Sequence, residues 1–193
     1  MNTTCDMAPE IEVSEWFNVA SPITLADCRG SVVLIEAFQM LCPGCVAQGL
    51  PQAQRVTETF RGKGVLMIGL HSVFEHHEAQ GHRAALAAFL HEYRIGFPVA
   101  IDRQVDQVPV TMTAYQMQGT PTLVLIDRQG RRRAQHFGSI PDMVLGAEIA
   151  QLLSEGDVKT AQPREALFAE IQSSADSCKT PEARASGGAG GRK

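Results

Sequence analysis

An apolar strand that runs into two closely spaced cysteines constrains this chain more than any other feature. Val32 to Phe38 is rich in branched and aromatic residues, and polar and apolar positions do not alternate cleanly along it. Such a run is typical of a strand buried on both faces in the middle of an α/β sheet. Because Cys42-Pro43-Gly44-Cys45 follows soon after it, we expect the sheet to present a pair of cysteines at one edge.

The residues after Cys42 change from a strand pattern to a helix pattern. Pro43 suits the first turn of a helix, because its missing N–H would have no partner there. Cys42 would then lie at a helix N-terminus, where unpaired N–H groups and the helix dipole favour a thiolate. The predicted helix spans 43–61 and contains Pro51, which should kink its axis by removing one internal hydrogen bond.

The two cysteines at 42 and 45 allow three interpretations. A CxxC between a strand and a helix is a redox arrangement. Alternatively, the cysteines are inert and buried, or they form half of a zinc site. A four-thiolate zinc site needs a second close pair, whereas Cys5, Cys28 and Cys178 stand alone. We therefore expect redox chemistry without a metal or other cofactor, Cys28 as a small buried apolar residue, and Cys178 as incidental.

Composition restricts the partners and the compartment. The 193 residues carry a net charge of −4, which argues against a nucleic-acid surface because such a surface needs a basic face. The sequence contains no apolar run of about 18 residues, so it predicts no membrane span. The first residues have neither the basic start nor the apolar core of a secretion signal. With five cysteines, an odd number, these observations predict a cytoplasmic protein without a membrane partner.

The remaining patterns alternate between strands and helices and predict an α/β protein with a mixed central β-sheet and helices on both faces. Predicted strands cover 65–70, 97–101, 123–126 and 131–138, and predicted helices cover 82–93, 106–118 and 141–154. Leu86, Phe89, Leu90 and Tyr93 should share one helix face. In the last helix Met143, Val144, Ala147, Ile149 and Leu152 should pack on the sheet, and the arginines at 131–133 should form a solvated hairpin arm.

We predict three segments along the chain. Residues 1–11 form a flexible N-terminus, and 12–155 form the folded domain. Residues 156–193 form a C-terminal extension that is partly helical and then disordered, since its end is rich in glycine.

With these residues in place, the chain resembles the thioredoxin superfamily, and within it the TlpA/ResA-like thiol-disulfide oxidoreductases. The similar features are the stretch 25–30, the CxxC at 42–45, the long connection 71–102, the Gly119-Thr120-Pro121-Thr122 segment and the 127–130 hairpin. The resemblance implies a thioredoxin-like fold and a cis peptide at Thr120-Pro121 facing the cysteines. It also implies that Pro43, Gly44, Thr120 and Pro121 bind substrate.

Glu36 lies six residues before Cys42, where thioredoxins place a buried acid. Burial raises the pKa of a carboxyl group, so this residue could exchange a proton with Cys45 near neutral pH. The alternative is a strand glutamate that reaches solvent or an arginine. The chain departs from the family where Leu41 replaces a common tryptophan. Pro51 also comes one residue later than expected, which suggests an extra residue or bulge in the helix.

The resemblance implies that Cys42 attacks a disulfide and that Cys45 resolves the mixed disulfide. Expected substrates are protein or low-molecular-weight disulfides and thiols, and a redox partner would recycle the CxxC. The intervening Pro43-Gly44 does not set the direction of exchange.

Two further interpretations stay open at this point. A thiol peroxidase of the peroxiredoxin kind would need a hydroxyl donor three residues before the nucleophile, where Gln39 stands. A metal-binding module could use His71, His76, His77 and His82, which share one predicted loop.

Overall fold

The structure is a computed structural model that describes residues 6–155. A six-stranded sheet has the order β1-β4-β3-β2-β7-β8, and β5 and β6 form a separate small hairpin. The strands are β1 Val13–Phe17, β2 Val32–Phe38, β3 Val65–His71, β4 Val99–Asp102, β5 Gln104–Val105, β6 Val108–Pro109, β7 Thr122–Ile126 and β8 Arg132–Phe137. The helices are α1 Leu50–Thr59, α2 His77–Gln80, α3 Arg83–Glu92, α4 Val110–Ala114 and α5 Asp142–Ser154, with a π-helical turn at Cys45–Gly49.

Strand β2 is the centre of the sheet, as its apolar sequence predicts. All seven of its residues are buried, and it pairs in parallel with β3 and antiparallel with β7. Val32, Leu34 and Phe38 belong to one apolar cluster, whereas Val33 and Ile35 belong to another. The mixed sheet confirms the predicted α/β class. Because β2 and β3 are parallel, their carboxyl ends meet at the edge where the CxxC begins.

The two faces of the sheet are covered unequally. The first cluster contains the buried residues of the three long helices, represented by Leu50 of α1, Leu86 of α3 and Ile149 of α5. The second contains Ile23 and Leu25 of the N-terminal segment and Tyr115, which ends α4. Every helix in the described part of the chain is too short or too polar to cross a lipid bilayer.

The predicted helix over 43–61 is confirmed over residues 43–59, but it is not regular. Residues 43 and 44 are already helical, and the Val46 N–H donates to the Cys42 carbonyl at 3.1 Å. The π-helical turn Cys45–Gly49 follows, in which the Leu50 N–H donates to the Cys45 carbonyl, and the helix continues as α1. Pro51 therefore lies in the first turn of α1 rather than inside a regular helix. A π turn carries one extra residue, which agrees with the late position of Pro51 and moves its ring away from the carbonyl group that it would otherwise meet.

The predicted helix over 106–118 is mostly wrong. Residues 104–109 form the β5–β6 hairpin, whose turn residues Asp106 and Gln107 have positive φ angles of 50° and 64°. Helix α4 begins only at Val110. The buried Asp102 carboxylate accepts the N–H groups of Thr111 and Met112 at 2.9 and 3.0 Å, and so satisfies the start of this helix.

The face that α5 buries also differs from the prediction. Leu145, Ile149 and Leu152 are buried, whereas Met143 and Val144 are 88% and 47% exposed, and Ala147 is also exposed. On α3, Leu86 and Leu90 are buried as predicted, but Tyr93 follows the end of the helix and is exposed. A pattern with several apolar positions does not tell which of two adjacent faces meets the sheet.

The arginines of the β7–β8 hairpin are not a simple solvated arm. The buried Asp127 carboxylate accepts hydrogen bonds from Arg131 Nε at 2.8 Å and Arg133 Nη1 at 3.3 Å. Arg133 also pairs with Glu155 at the end of α5, and these two carboxylates raise the pKa of its guanidinium. The hairpin is therefore attached to the last helix by charge.

The N-terminal stretch predicted to be flexible, residues 1–11, contacts this hairpin over its described part. Met7 forms a bridge with Arg131, and the Ala8 N–H donates to the Gly130 carbonyl at 2.9 Å. Ile11 is buried. Residues 1–5, with Cys5, and the C-terminal extension 156–193, with Cys178, lie outside the described residues.

Candidate active site

Cys42 lies between the carboxyl end of β2 and the start of the helix, and its side chain is half-buried. Its Sγ accepts the backbone N–H of Cys45 at 3.2 Å, a hydrogen bond that stabilises a thiolate. The same sulfur lies 3.5 Å from the carbonyl oxygen of Thr120, to which the protonated thiol can donate. The helix start thus holds Cys42 partly open to solvent between a donor and an acceptor.

Cys45 is fully buried behind Cys42. Burial first, and then a hydrogen bond with Cys42, raise the pKa of Cys45 to about 12. Both cysteines are free thiols, as is Cys28. The difference in exposure separates the two positions chemically, since the thiolate is the reactive form and only Cys42 meets solvent.

The Thr120-Pro121 segment faces the cysteines. Its peptide bond is cis, and both residues are half-buried. The side chain of Pro121 packs so closely on the CxxC turn that a Cβ added at Gly44 would lie 3.3 Å from Pro121 Cδ. The structure thus brings Pro43, Gly44, Thr120 and Pro121 together around Cys42, while Pro43 itself is exposed.

Glu36 lies on β2, directly opposite Leu123 of β7, and is 3% exposed. Its Oε1 atom is buried and has no hydrogen-bond partner. Burial raises the pKa of Glu36 to about 8, so the carboxyl group is mainly protonated at pH 7. The alternative of a strand glutamate that reaches solvent or an arginine does not describe this environment.

A cleft leads from the surface to Glu36. It has a volume of about 240 Å³, and its lining includes Gly49 and Gln52 from the helix, together with Ser139 and Asp142. Gln52 spans its rim, because its Nε2 donates to the Ile140 carbonyl at 2.8 Å and to Asp142 Oδ1 at 2.6 Å. Glu36 is the only buried acid among the residues that line the cleft, and the lining also includes the polar side chains of Gln52, Ser139 and Asp142.

Two residues of the site, Gly49 and Gln80, escaped the sequence analysis, and Gln39 entered it only as the residue at the position of a peroxidase hydroxyl donor. Gly49 allows Glu36 and Pro121 to approach the helix, since a Cβ at this position would lie 2.2 Å from Glu36 Oε1. An isolated glycine in a helix pattern is less favourable than alanine, and this cost is the signal that could have pointed to a packing role. Gln39 and Gln80 are both buried and hydrogen-bond each other at 3.0 Å, but no sequence pattern marks a buried glutamine.

The histidine cluster of the metal-binding alternative does not form among the described residues. His71 ends β3 with its ring 5.3 Å from the ring of Phe38, and burial lowers its pKa to about 4. His76, His77 and His82 follow in a separate segment around α2. Within residues 6–155, no group of three His, Cys, Asp or Glu side chains is placed to hold a metal ion.

Cys28 matches the predicted inert residue. It is buried, and burial, followed by the charges of Asp27 and Glu10, raises the pKa of its thiol to about 12. Its chain neighbours are not part of the CxxC site, so the described free thiols comprise one accessible sulfur and two protected ones.

Comparison with known proteins supports the assignment of the chain to the thioredoxin-like proteins. The model of the AhpC/TSA family matches residues 5–134. A thioredoxin-like superfamily protein of known crystal structure is 56% identical, with a TM-score of 0.76 over 78% of this chain and 98% of its own. A thiol-disulfide isomerase from Corynebacterium glutamicum is 46% identical, with a TM-score of 0.72 over 77% of this chain and 98% of its own.

A more distant structure shows the fold alone. It is a thiol:disulfide interchange protein, DsbE, from Chlorobium tepidum, 24% identical with a TM-score of 0.63 over 77% of this chain and 96% of its own. No curated protein matches the chain. The predicted thioredoxin-superfamily resemblance is confirmed, and the chain belongs to the AhpC/TSA family of thioredoxin-like proteins.

Proposed function

We propose that this protein is a thiol-disulfide oxidoreductase that uses Cys42 and Cys45. The observation that carries the proposal is the half-buried Cys42 sulfur, which receives the Cys45 N–H at 3.2 Å and lies beside Thr120-Pro121. This arrangement offers one sulfur to a partner and keeps the second within reach of the first. The related thiol-disulfide isomerase supports the same reaction class.

The reaction proceeds in two exchanges that balance atoms and electrons. The Cys42 thiolate attacks one sulfur of a partner disulfide, so that a mixed disulfide forms and the other partner sulfur leaves as a thiolate. Cys45 then loses its proton and attacks Cys42, which releases the second partner thiolate and leaves a Cys42–Cys45 disulfide. Two electrons pass to the partner, and the reverse sequence oxidises a dithiol.

Glu36 is proposed as the group that exchanges a proton with Cys45. A buried thiol with a pKa of about 12 needs a nearby base to react at neutral pH. The Glu36 carboxyl has a pKa of about 8 and one oxygen without a partner. At pH 7 its protonated majority can give a proton to Cys45 when the disulfide is reduced, and its ionised fraction can take that proton when Cys45 attacks. Pro43, Gly44, Thr120 and Pro121 are proposed to contact the partner around Cys42.

The substrates are disulfides or thiols of proteins or small molecules, as the family implies. We further propose that a separate redox partner restores the CxxC after each cycle. Cytoplasmic location stays a prediction, supported by the odd number of cysteines.

Replacement of the two cysteines tests the proposal. Cys42→Ser should abolish insulin reduction, whereas Cys45→Ser should accumulate mixed disulfides that a reducing agent releases. Cys28→Ser is the matched control and should keep full turnover. Normal insulin reduction by Cys42→Ser would refute the assignment. Rapid hydrogen peroxide consumption would favour the peroxidase interpretation, which is disfavoured by the amide of Gln39 at the position that needs a hydroxyl group.

A further inference from the structure

We propose that residues 73–80, here called the glutamine-anchored segment, form one wall of the partner-binding face. This wall selects polypeptide disulfides whose cysteine is flanked by an apolar and a basic side chain, and it disfavours anionic disulfides such as glutathione disulfide. The inference rests on the proposed function, because it names the substrate class of the same site.

Gln80 fixes this segment to the turn that presents Cys42. Its Oε1 accepts the Leu41 N–H at 3.1 Å, and its Nε2 donates to Gln39 Oε1 at 3.0 Å and to the Glu75 carbonyl at 2.8 Å. The Phe74 N–H also donates to Gln39 Oε1, at 3.3 Å. Since both glutamines are 1% exposed, these hydrogen bonds are shielded from water and hold the segment in place.

The anchored segment brings an apolar surface to the site. Phe74 is 38% exposed and Leu41, the residue directly before Cys42, is 55% exposed. Their backbones are tied to the same pair of glutamines. The side chains of Leu41 and Phe74 are large, apolar and exposed, and their backbones are anchored to the turn that presents Cys42. They can form an apolar contact surface for a residue next to the partner cysteine.

Glu75 adds a negative charge to the same place. Its Oε1 accepts from Gln39 Nε2 at 3.4 Å, and that nitrogen also lies 3.5 Å from Thr120 Oγ1. Thr120 in turn contacts Cys42 through its carbonyl oxygen. Only the side-chain amide of Gln39 separates the exposed Glu75 carboxylate from Thr120. This carboxylate attracts a positively charged partner and repels a negatively charged one during encounter.

Two matched peptide disulfides test this selectivity. Each is a symmetric dimer with a leucine on one side of the cysteine, and the other flank is lysine in one peptide and glutamate in the second. The ratio of their second-order rate constants with reduced protein reports the charge preference. Wild-type protein should prefer the lysine peptide and should react more slowly with glutathione disulfide than with that peptide.

Glu75→Gln should lower the lysine-to-glutamate ratio by about threefold at low ionic strength, a size typical of one surface charge, and added salt should reduce the difference. Glu92→Gln is the control, because Glu92 is exposed at the end of α3, outside this segment, and the substitution should leave the ratio unchanged. Phe74→Ala should slow the leucine peptide more than a matched glycine peptide.

The outcomes separate the two proposals. If wild-type protein reduces neither peptide, the proposed function fails. If it reduces both and Glu75→Gln leaves their ratio unchanged, or Glu92→Gln changes it equally, the inference about the glutamine-anchored segment is overturned while the oxidoreductase stands.

Discussion

The Glu36 carboxyl group lies against the backbone of Gly49, so that a Cβ at position 49 would come within 2.2 Å of Glu36 Oε1. This contact joins the central strand to the π-helical turn that follows the cysteines. The helix can pack this closely on the buried Glu36 carboxyl group only because the residue at the contact, Gly49, has no side chain. The position of Glu36 thus depends on a residue thirteen positions further along the chain.

Gly49→Ala should destabilise the protein by about 1–3 kcal/mol, because the new methyl group would collide with the buried Glu36 carboxyl group and press on Pro121 Cβ. It should also displace Glu36 or Pro121 and slow disulfide exchange. Gly146→Ala is the control, since a Cβ there meets nothing within 4 Å and should stabilise α5 by roughly 0.5–1 kcal/mol. Denaturant unfolding and insulin reduction measure both effects, and equal stability of the two variants would contradict the packing argument.

Glu36→Gln should change how stability depends on pH. The pKa of Glu36 is about 8 in the folded protein against 4.5 for the unperturbed group, so in this window the unfolded chain binds fewer protons. Stability should fall as pH rises from 4.5 to 8, by up to about 1.4 kcal/mol per pH unit from this residue.

The amide of Glu36→Gln cannot ionise and should remove that slope, so the variant gains stability relative to wild type as pH rises. Denaturant unfolding at several pH values measures it. Glu58→Gln, at an exposed position of α1, should follow the wild-type curve. Parallel curves for wild type and Glu36→Gln would show that Glu36 ionises normally.

Asp127→Ala should cost about 1–3 kcal/mol, because it removes the buried acceptor of two backbone N–H groups. Asp127 is 3% exposed, and its Oδ1 accepts the N–H groups of Gln129 and Arg131 at 3.0 and 2.9 Å. Glu15→Ala breaks the exposed pair with Arg83 and should cost no more than about 1 kcal/mol. Similar losses in the two variants, measured by denaturant unfolding, would contradict this ranking.

Gln80→Met keeps the size of the side chain but removes its hydrogen bonds to Leu41 and Gln39. Each buried polar group left without a partner costs about 1–3 kcal/mol, so stability should fall together with insulin reduction. Gln104→Ala removes a different anchor of the same region, a 2.8 Å bond to the Val73 carbonyl, and should leave turnover unchanged. Turnover that is equal in the two variants would show that Gln80 does not position the Cys42 turn.

Alkylation should separate the described thiols. In native reduced protein, iodoacetamide should modify Cys42 first, because Cys45 and Cys28 are buried and their pKa values are raised to about 12. Denaturation should make all three react alike. Peptide mapping by mass spectrometry at increasing times measures the order, and early modification of Cys28 would contradict the burial.

The resemblance to thioredoxins implied which segment faces the cysteine pair, and the sequence by itself determined the central strand and the pair. These features depend on local composition, since an apolar run predicts burial and a CxxC before a helix predicts a redox site. It also predicted the buried acid Glu36 and, from the late Pro51, an extra residue in the helix.

Only the tertiary structure decided which polar residues are buried together. Gln39 and Gln80 are forty-one positions apart and meet because β2 and β3 end at the same edge of the sheet. The face buried by α5, the β5–β6 hairpin and the charge network of Asp127 likewise depend on contacts between distant segments. A local sequence pattern shows how apolar a segment is. The partner of a buried polar group depends on which distant segments the tertiary fold brings together.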